Sequence, residues 1–383
     1  MKKSVIVFLA LVAFIVTPLI SNAQEEGVTS KFPIKIYGLL WGNGVWGDSE
    51  TDLLNNLTLK SINAPTHAVD EATVSPNDGY IGFTAQNTRL GFQVMDHTFN
   101  NGIYAGGKVE FDFWNQNTNQ FRPRMRLGFV KFGKGIWSFE GGQDWDVFSP
   151  LLPATTNAAI LWMSGNLGFR RPQMRFTIDY KFGDGAGIKY DMAVANPGNW
   201  DIITQPGLDT SFPDIQDSLA YYNENFMAGK LYLGVSTLFG KRNYGRKRNI
   251  WGYSLSLQVP LHNYFQLVGE VAYSKGTSDY MTNASTDTNG TNKVFSVWAN
   301  LISKWTGWFE TVVGYGLDDP KRMVPITAGV VNVNKNQMIL GALKFHPVKP
   351  LTLAVEYENI RTNYVGGGKG TANVVLFSTI YAF

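Results

Sequence analysis

The sequence contains no cysteine, four histidines, and charged side chains at only 16% of its 383 positions. Without cysteine there is no disulfide framework, no thiolate metal site and no thiol nucleophile. His67, His97, His262 and His346 lie far apart, and none stands at a ligand spacing from another histidine or a carboxylate. No nucleophile elbow is present either. The residues therefore offer no catalytic group, no metal centre and no cofactor motif. Residues 366–371, GGGKGT, place Gly370 where a phosphate loop needs Ser or Thr, and they join two predicted strands.

Long apolar runs are equally scarce. Beyond residue 23 nothing approaches the ~20 residues of a spanning helix. Residues 1–23 read as an export signal: Lys2 and Lys3 lead an apolar core at 5–20, and Ser21-Asn22-Ala23 offers a small-residue cleavage site. Removing them deletes two lysines and no acid, which takes the formal charge from +3 to +1. That near-neutral balance speaks against nucleic acid as a partner.

What is abundant is glycine, at 40 residues, and aromatic side chains, at 14%. An exported chain of this kind with no helix-length apolar segment is all-β. Sixteen candidate strands follow in order: 34–41, 84–95, 104–114, 122–132, 136–143, 171–182, 186–195, 215–223, 229–239, 250–259, 264–275, 294–303, 307–317, 336–345, 351–360 and 371–383. Their connections alternate. Short ones at 133–135, 183–185, 260–263, 304–306 and 346–350 interleave with long ones at 42–83, 144–170, 196–214, 240–249, 276–293, 318–335 and 361–370. This rhythm predicts a transmembrane antiparallel β-barrel of about 16 strands with short periplasmic turns and long extracellular loops, occupying residues 24–383 as one domain. A soluble sandwich gives no such alternation.

The stretch FRPRMRLGFVKFGKGIWSFEGGQDWDVFSPLL, 121–152, carries the densest signal. Arg122, Arg124 and Arg126 recur at every second position, so they share one face of a strand, with Met125, Leu127 and Phe129 on the other. After the turn Gly133-Lys134-Gly135, Trp137 and Phe139 point one way and Ser138 and Glu140 the other. Alternation stops at Gly141, and 145–152 could form a short helix. In the last strand Val375, Phe377, Thr379, Tyr381 and Phe383 share a face and are expected toward lipid.

At NTRLGFQV (87–94), VEFDFW (109–114), FRPRMRLGFVKFG (121–133), GGQDWDVFSPLLPATTN (141–157) and RRPQMRFT (170–177) the chain resembles the DcaP-like trimeric outer-membrane porins, in the form found in Bacteroidota. The resemblance implies a sixteen-stranded homotrimer, an inward-folded third loop, and passage of small, often anionic, solutes. Proteobacterial members carry an N-terminal coiled coil, for which the lead at 24–33 is too short.

The lumen face then reads as two arcs. Arg89, Lys108, Arg122, Arg124, Arg126, Arg171 and Arg175 face Glu110, Asp112 and Glu140 on the first; Glu270, Glu310, Glu356 and Glu358 form an opposing acidic wall, relieved by Lys344. Opposed walls make a transverse field that orients dipolar solutes. Arg122, Arg124 and Arg126 are also expected to pair with Glu110, Asp112 and Glu140 as wall braces, leaving the surplus basic groups to solute. Gln143, Asp144, Trp145, Asp146 and Phe148 open the third long loop, which is apolar enough to pack inward as a constriction. Lys241, Arg242, Arg246, Lys247 and Arg248 fall in one outer loop, where lipopolysaccharide phosphates and plain solvation are both open. The acids of the first loop, Asp48, Glu50, Asp52, Asp70, Glu71 and Asp78, lack calcium-ligand spacing.

The sequence thus predicts an outer-membrane diffusion porin set in lipid and lipopolysaccharide, passing small hydrophilic solutes, carboxylate-bearing ones included, through a waist formed by the third loop. The rival is an adhesin or structural barrel acting through its outer loops.

Overall fold

The computed structural model describes residues 32–52, 65–69, 79–114, 122–198, 208–243, 245–284, 291–321 and 333–383. The export signal at 1–23 lies outside the described residues. The strands are β1 (Ile34–Gly47), β2 (in two pieces, Tyr80–Thr84 and Arg89–Thr98), β3 (Tyr104–Asp112), β4 (Arg124–Lys134), β5 (Trp137–Trp145), β6 (Arg170–Phe182), β7 (Ala186–Ala195) and β8 (Asp214–Phe226). They continue with β9 (Gly229–Asn243), β10 (Lys247–His262), β11 (Phe265–Lys275), β12 (Lys293–Lys304), β13 (Phe309–Lys321), β14 (Val333–Val348), β15 (Leu351–Tyr364) and β16 (Lys369–Ala382).

Each strand pairs antiparallel with the next, and β16 returns to β1 with Leu39 opposite Ala382 and Gly47 opposite Val374. Both pieces of β2 pair with β1, so the 17 sheet segments are sixteen strands, one of them interrupted. The result is a closed barrel, which leaves no edge strand unpaired. No α-helix occurs among the described residues.

Side-chain alternation decides what faces outward. In β10 Leu255 is 61% exposed while its neighbour Ser256 is 3% exposed. In β16 the expected face is the outer one: Phe377, Tyr381 and Phe383 are exposed, whereas Ala372, Val374 and Leu376 are fully buried inside. Exposed Trp137, Tyr180, Tyr264, Trp305, Trp308 and Tyr381 gather beside the short turns, as an interfacial aromatic belt does.

Two expectations need correction. Met125 is outward as anticipated, but Leu127 and Phe129 are not. Glu110 pairs with Leu127 and Phe111 with Met125, so Arg126 is the extra residue of a β-bulge. The bulge shifts the phase by one. Arg124, Arg126, Leu127, Phe129 and Lys131 then line the inside, and Val130 and Phe132 are exposed outside. The connection placed at 240–249 is also much shorter, because β9 runs to Asn243 and β10 starts at Lys247. The inward alternation Leu238, Gly240, Arg242 simply continues through it, and Arg242 is a buried strand residue rather than a loop cation.

Candidate functional site: the lumen and the loop that crosses it

The third long connection, 146–169, does not stay at the barrel's rim. Its first residues are extended and bent, with no helix at 145–152. Val147 and Phe148 donate their amides to Gln216 Oε1 of β8 at 2.7 and 3.0 Å, which ties the segment to the wall. The Phe148 ring sits on Gly252 of β10, where a Cβ would come within 2.5 Å of it, so only glycine leaves room for the loop to enter here. Ser149 Oγ and the Leu151 amide bond Glu270 of β11, and the Ala154 amide donates to Asn300 Oδ1 of β12 at 2.7 Å.

The loop then reaches β15. Thr155 donates its hydroxyl to Glu356, and Thr156 gives that carboxylate its amide at 2.7 Å and its hydroxyl at 3.0 Å. Asn157 Nδ2 reaches both oxygens of Glu358 at 3.0 Å. From β5 the chain has crossed the barrel and seated itself on the far wall. Leu161 completes the seat by joining Trp298, Met338, Leu340, Ile360, Val374 and Leu376 in one apolar cluster inside the barrel. A fully buried Leu is worth about 1.5–3 kcal/mol, so this loop is held by a core as well as by hydrogen bonds.

Two other connections lock onto it. From the first long loop, Pro65 O accepts from Asn157 at 3.0 Å, and Thr66 O accepts from Asn336 at 2.8 Å. His67 is fully buried and meets Asn283 Oδ1 at 3.1 Å. From the segment after β11, the Met281 carbonyl accepts the Met163 amide and the Tyr280 carbonyl accepts the Gly168 amide, both at 2.9 Å.

A buried ionic cluster fixes the loop's root. Arg171 Nε meets Asp146 Oδ1 at 2.6 Å, and its guanidinium lies 3.7 Å from the centre of the Tyr280 ring. Arg242 forks onto Asp214 at 2.8 and 2.7 Å and also touches Asp279. Tyr280 donates its hydroxyl to Asp214 at 2.8 Å, and burial pushes that phenol's pKa well above its usual range. Paired and hydrogen-bonded, these charges can remain buried.

The anticipated site residues therefore divide. Arg126 bridges Glu110 at 2.7 Å and Asp112 at 2.9 Å, and Arg124 bonds Asp112 at 2.7 Å while stacking 4.5 Å over Trp114. Arg175 reaches Asp144 at 3.2 Å and Glu140 at 3.9 Å. Lys108 stands 4.7 Å over the Tyr37 ring and Arg89 5.6 Å over Trp41, while Arg122 is exposed ahead of β4. Arg124, Arg126 and Arg175 are thus braces against Asp112, Glu110, Asp144 and Glu140.

Arg171 belongs with the loop anchors, since it is fully buried. Gln143 is a wall residue of β5 that donates to the Met125 and Arg126 carbonyls at 3.0 Å and so holds the bulge. Trp145 ends the same strand, and Asp146 and Phe148 are buried anchors. The opposing acidic wall is corrected most. Glu270, Glu356 and Glu358 do face inward, but the loop covers them to 2%, 0% and 0% exposure. Glu310 alone of the four stays partly open, 3.5 Å from Lys344.

Gln216, Asp214, Asp279 and Tyr280 were not singled out in the sequence, and Arg242 was read only as an outer-loop cation. Asp214, Gln216 and Ser218 alternate inward on β8, which was the available signal; what they hold arrives from distant segments. Among the described residues no group of acids and histidines could hold a metal ion.

No protein-family model and no curated protein matches the chain. Solved structures do resemble it in fold. The outer membrane channel DcaP of Acinetobacter baumannii superposes with a TM-score of 0.72 at 18% identity, covering 93% of this chain and 99% of that one. An anion-selective porin from Comamonas acidovorans gives 0.59 at 14%, covering 92% and 100%. OmpF of Salmonella typhi, solved with daunomycin, gives 0.59 at 14%, covering 92% and 98%. At these identities the likeness is one of fold.

Proposed function

We propose that the chain is an outer-membrane porin: a passive channel for small hydrophilic solutes, carboxylate-bearing ones included, with the third loop as its constriction. The observation that carries this reading is the course of 146–169 from β5 to the buried carboxylates of β11 and β15. A barrel of sixteen strands is wide enough for an aqueous lumen. The loop and its apolar seat fill one side, which confines passage to the side lined by β3 to β6. There Lys108, Lys131, Glu140, Asp144 and Arg175 keep part of their surface open. No reacting group is needed; a concentration gradient drives the solute. The reading includes export by residues 1–23, assembly as a homotrimer, and a setting in lipid and lipopolysaccharide; the outer-membrane channel it resembles in fold supports the membrane part.

The interlocking of the first loop, the third loop and the segment after β11 favours a second reading, a barrel that acts through its outer loops and conducts little. Purified protein in a planar bilayer separates the two. Stepwise openings whose reversal potential moves with a salt gradient support the channel; a silent membrane supports the adhesin or structural barrel.

A further inference from the structure

At the short-turn end, away from the third loop, the lumen side of β2 to β7 lines an open cavity of about 580 Å³. Its wall presents Asp96, Lys131, Ser138, Thr177, Lys181 and Lys189. Two of its five charged residues, Lys189 and Asp179, already have close partners. Lys189 pairs with Asp191 at 2.8 Å, Thr177 donates to the same carboxylate, and Asp179 accepts the Tyr222 hydroxyl at 2.6 Å. Asp96, Lys131 and Lys181 differ: none makes a hydrogen bond or ion pair with the described residues.

The backbone sets these groups in place. A register shift between Val94 and His97 bulges β2 at Asp96, and bulges re-aim side chains. The freed carboxylate lies across Gly106 of β3, where a Cβ would come within 2.3 Å of Asp96 Oδ1. Gly106 is directly opposite Lys131 in the sheet. A carboxylate and an amine thus flank one glycine on neighbouring strands, with a second amine, Lys181, in the same cavity. Glu140, opposite Lys131, lies 3.9 Å from Arg175 on its other side and reaches Lys131 through its field, with no hydrogen bond or ion-pair contact between the two.

We infer that this cavity is a binding station for small amino-carboxylate zwitterions, and that acidic amino acids fit it best. Their two carboxylates meet Lys131 and Lys181, and their ammonium meets Asp96. A plain dicarboxylate lacks the ammonium and sets a like charge against Asp96, while a simple amine leaves both lysines unmatched. Ser138 supplies a neutral hydroxyl to a remaining oxygen. The inference rests on the channel reading for its biological sense, since a station in a sealed barrel would serve no passage.

Titration calorimetry on the full-length folded protein in detergent, with L-glutamate and glutarate as probes, tests the site independently of conduction. Wild type binds glutamate at least about tenfold more tightly than glutarate. D96N brings the two ligands to equal affinity, and K131Q with K181Q weakens both by about tenfold or more. The unboiled gel mobility of each variant confirms that it is folded, and K181Q alone, at an exposed position near a turn, serves if the double variant is not. Equal affinity for the two ligands in wild type, or a preference for glutamate that survives D96N, overturns the site. In bilayers, openings without calorimetric binding reject the site and leave the channel standing; binding by a protein that never conducts rejects the channel.

Discussion

Gly38 and Phe383 exchange both of their backbone hydrogen bonds, at 3.0 and 3.1 Å, and so fasten the first strand to the last residue. The Phe383 ring lies where a Cβ on Gly38 would be, 2.7 Å from its nearest atom, and the Arg89 carbonyl crowds the same point at 2.3 Å. A side chain at position 38 therefore cannot be accommodated without parting the seam. Each backbone bond contributes only ~0.5–1.5 kcal/mol net, but here they complete closure of the sheet. Gly38→Val and removal of Phe383 are each expected to lower the folded fraction in outer membranes, read as the unboiled, fast-migrating band on a gel. Undiminished folded protein from both variants would show that the seam does not limit assembly.

The outer face gives a second, independent check. Leu255 is 61% exposed in mid-strand, flanked by Tyr253 and Leu257 on the same face. Leu255→Arg is expected to destabilise the folded barrel in lipid by ~2–4 kcal/mol, the cost of a cation at the bilayer midplane. Urea titration of tryptophan fluorescence in liposomes measures it. A shift no larger than that of Leu255→Ala would mean this face does not meet lipid.

Strand number, strand order and the outward phase of β16 were legible because alternation is a local property of the chain. The phase after Arg126 was not, since a bulge is one extra residue and leaves no mark on composition. The strip Leu127 to Phe129 is apolar on both readings, so only the pairing of Glu110 with Leu127 reveals the shift. The acidic wall was misjudged for another reason. Glu356 and Glu358 were correctly placed facing inward, yet what covers them is a threonine pair and an asparagine some 200 positions earlier. Pattern reading finds which way a side chain points; it does not find a loop that arrives from across the barrel.

Arg126 illustrates how far bracing dominates on the basic side. It is 6% exposed and spans two carboxylates, whereas Arg124 keeps 16% of its side chain accessible. Breaking a buried pair costs about 3–5 kcal/mol because its partner is left uncompensated. Arg126→Gln is expected to lower the temperature at which the gel band shifts, and Arg124→Gln to lower it less. Replacing Arg122, Arg124 and Arg126 together strands Glu110 and Asp112, so the reversal potential at low salt should move toward cations, and the shift should fade as salt shortens the Debye length. An unchanged reversal potential with normal folded yield would mean these groups do not border the ion path.

Conductance should respond most to the seat of the third loop. Asn157 gives Glu358 two bonds from one amide, and both residues are buried. Asn157→Leu removes those donors and leaves the buried carboxyl oxygens without them, a penalty of ~1–3 kcal/mol. The neighbouring Thr156 bonds to Glu356 and the Leu161 contacts remain, so the loop should loosen rather than leave. The expected signature is noisier single-channel current with a raised mean and quicker cleavage within 150–160 by added protease. Leu152→Ser, at a residue 46% exposed and outside the seat, should change neither. Excision of 152–160 should raise conductance further. If excision leaves conductance unchanged or lowers it, the narrowest point lies elsewhere, and 146–169 is an internal brace rather than the constriction.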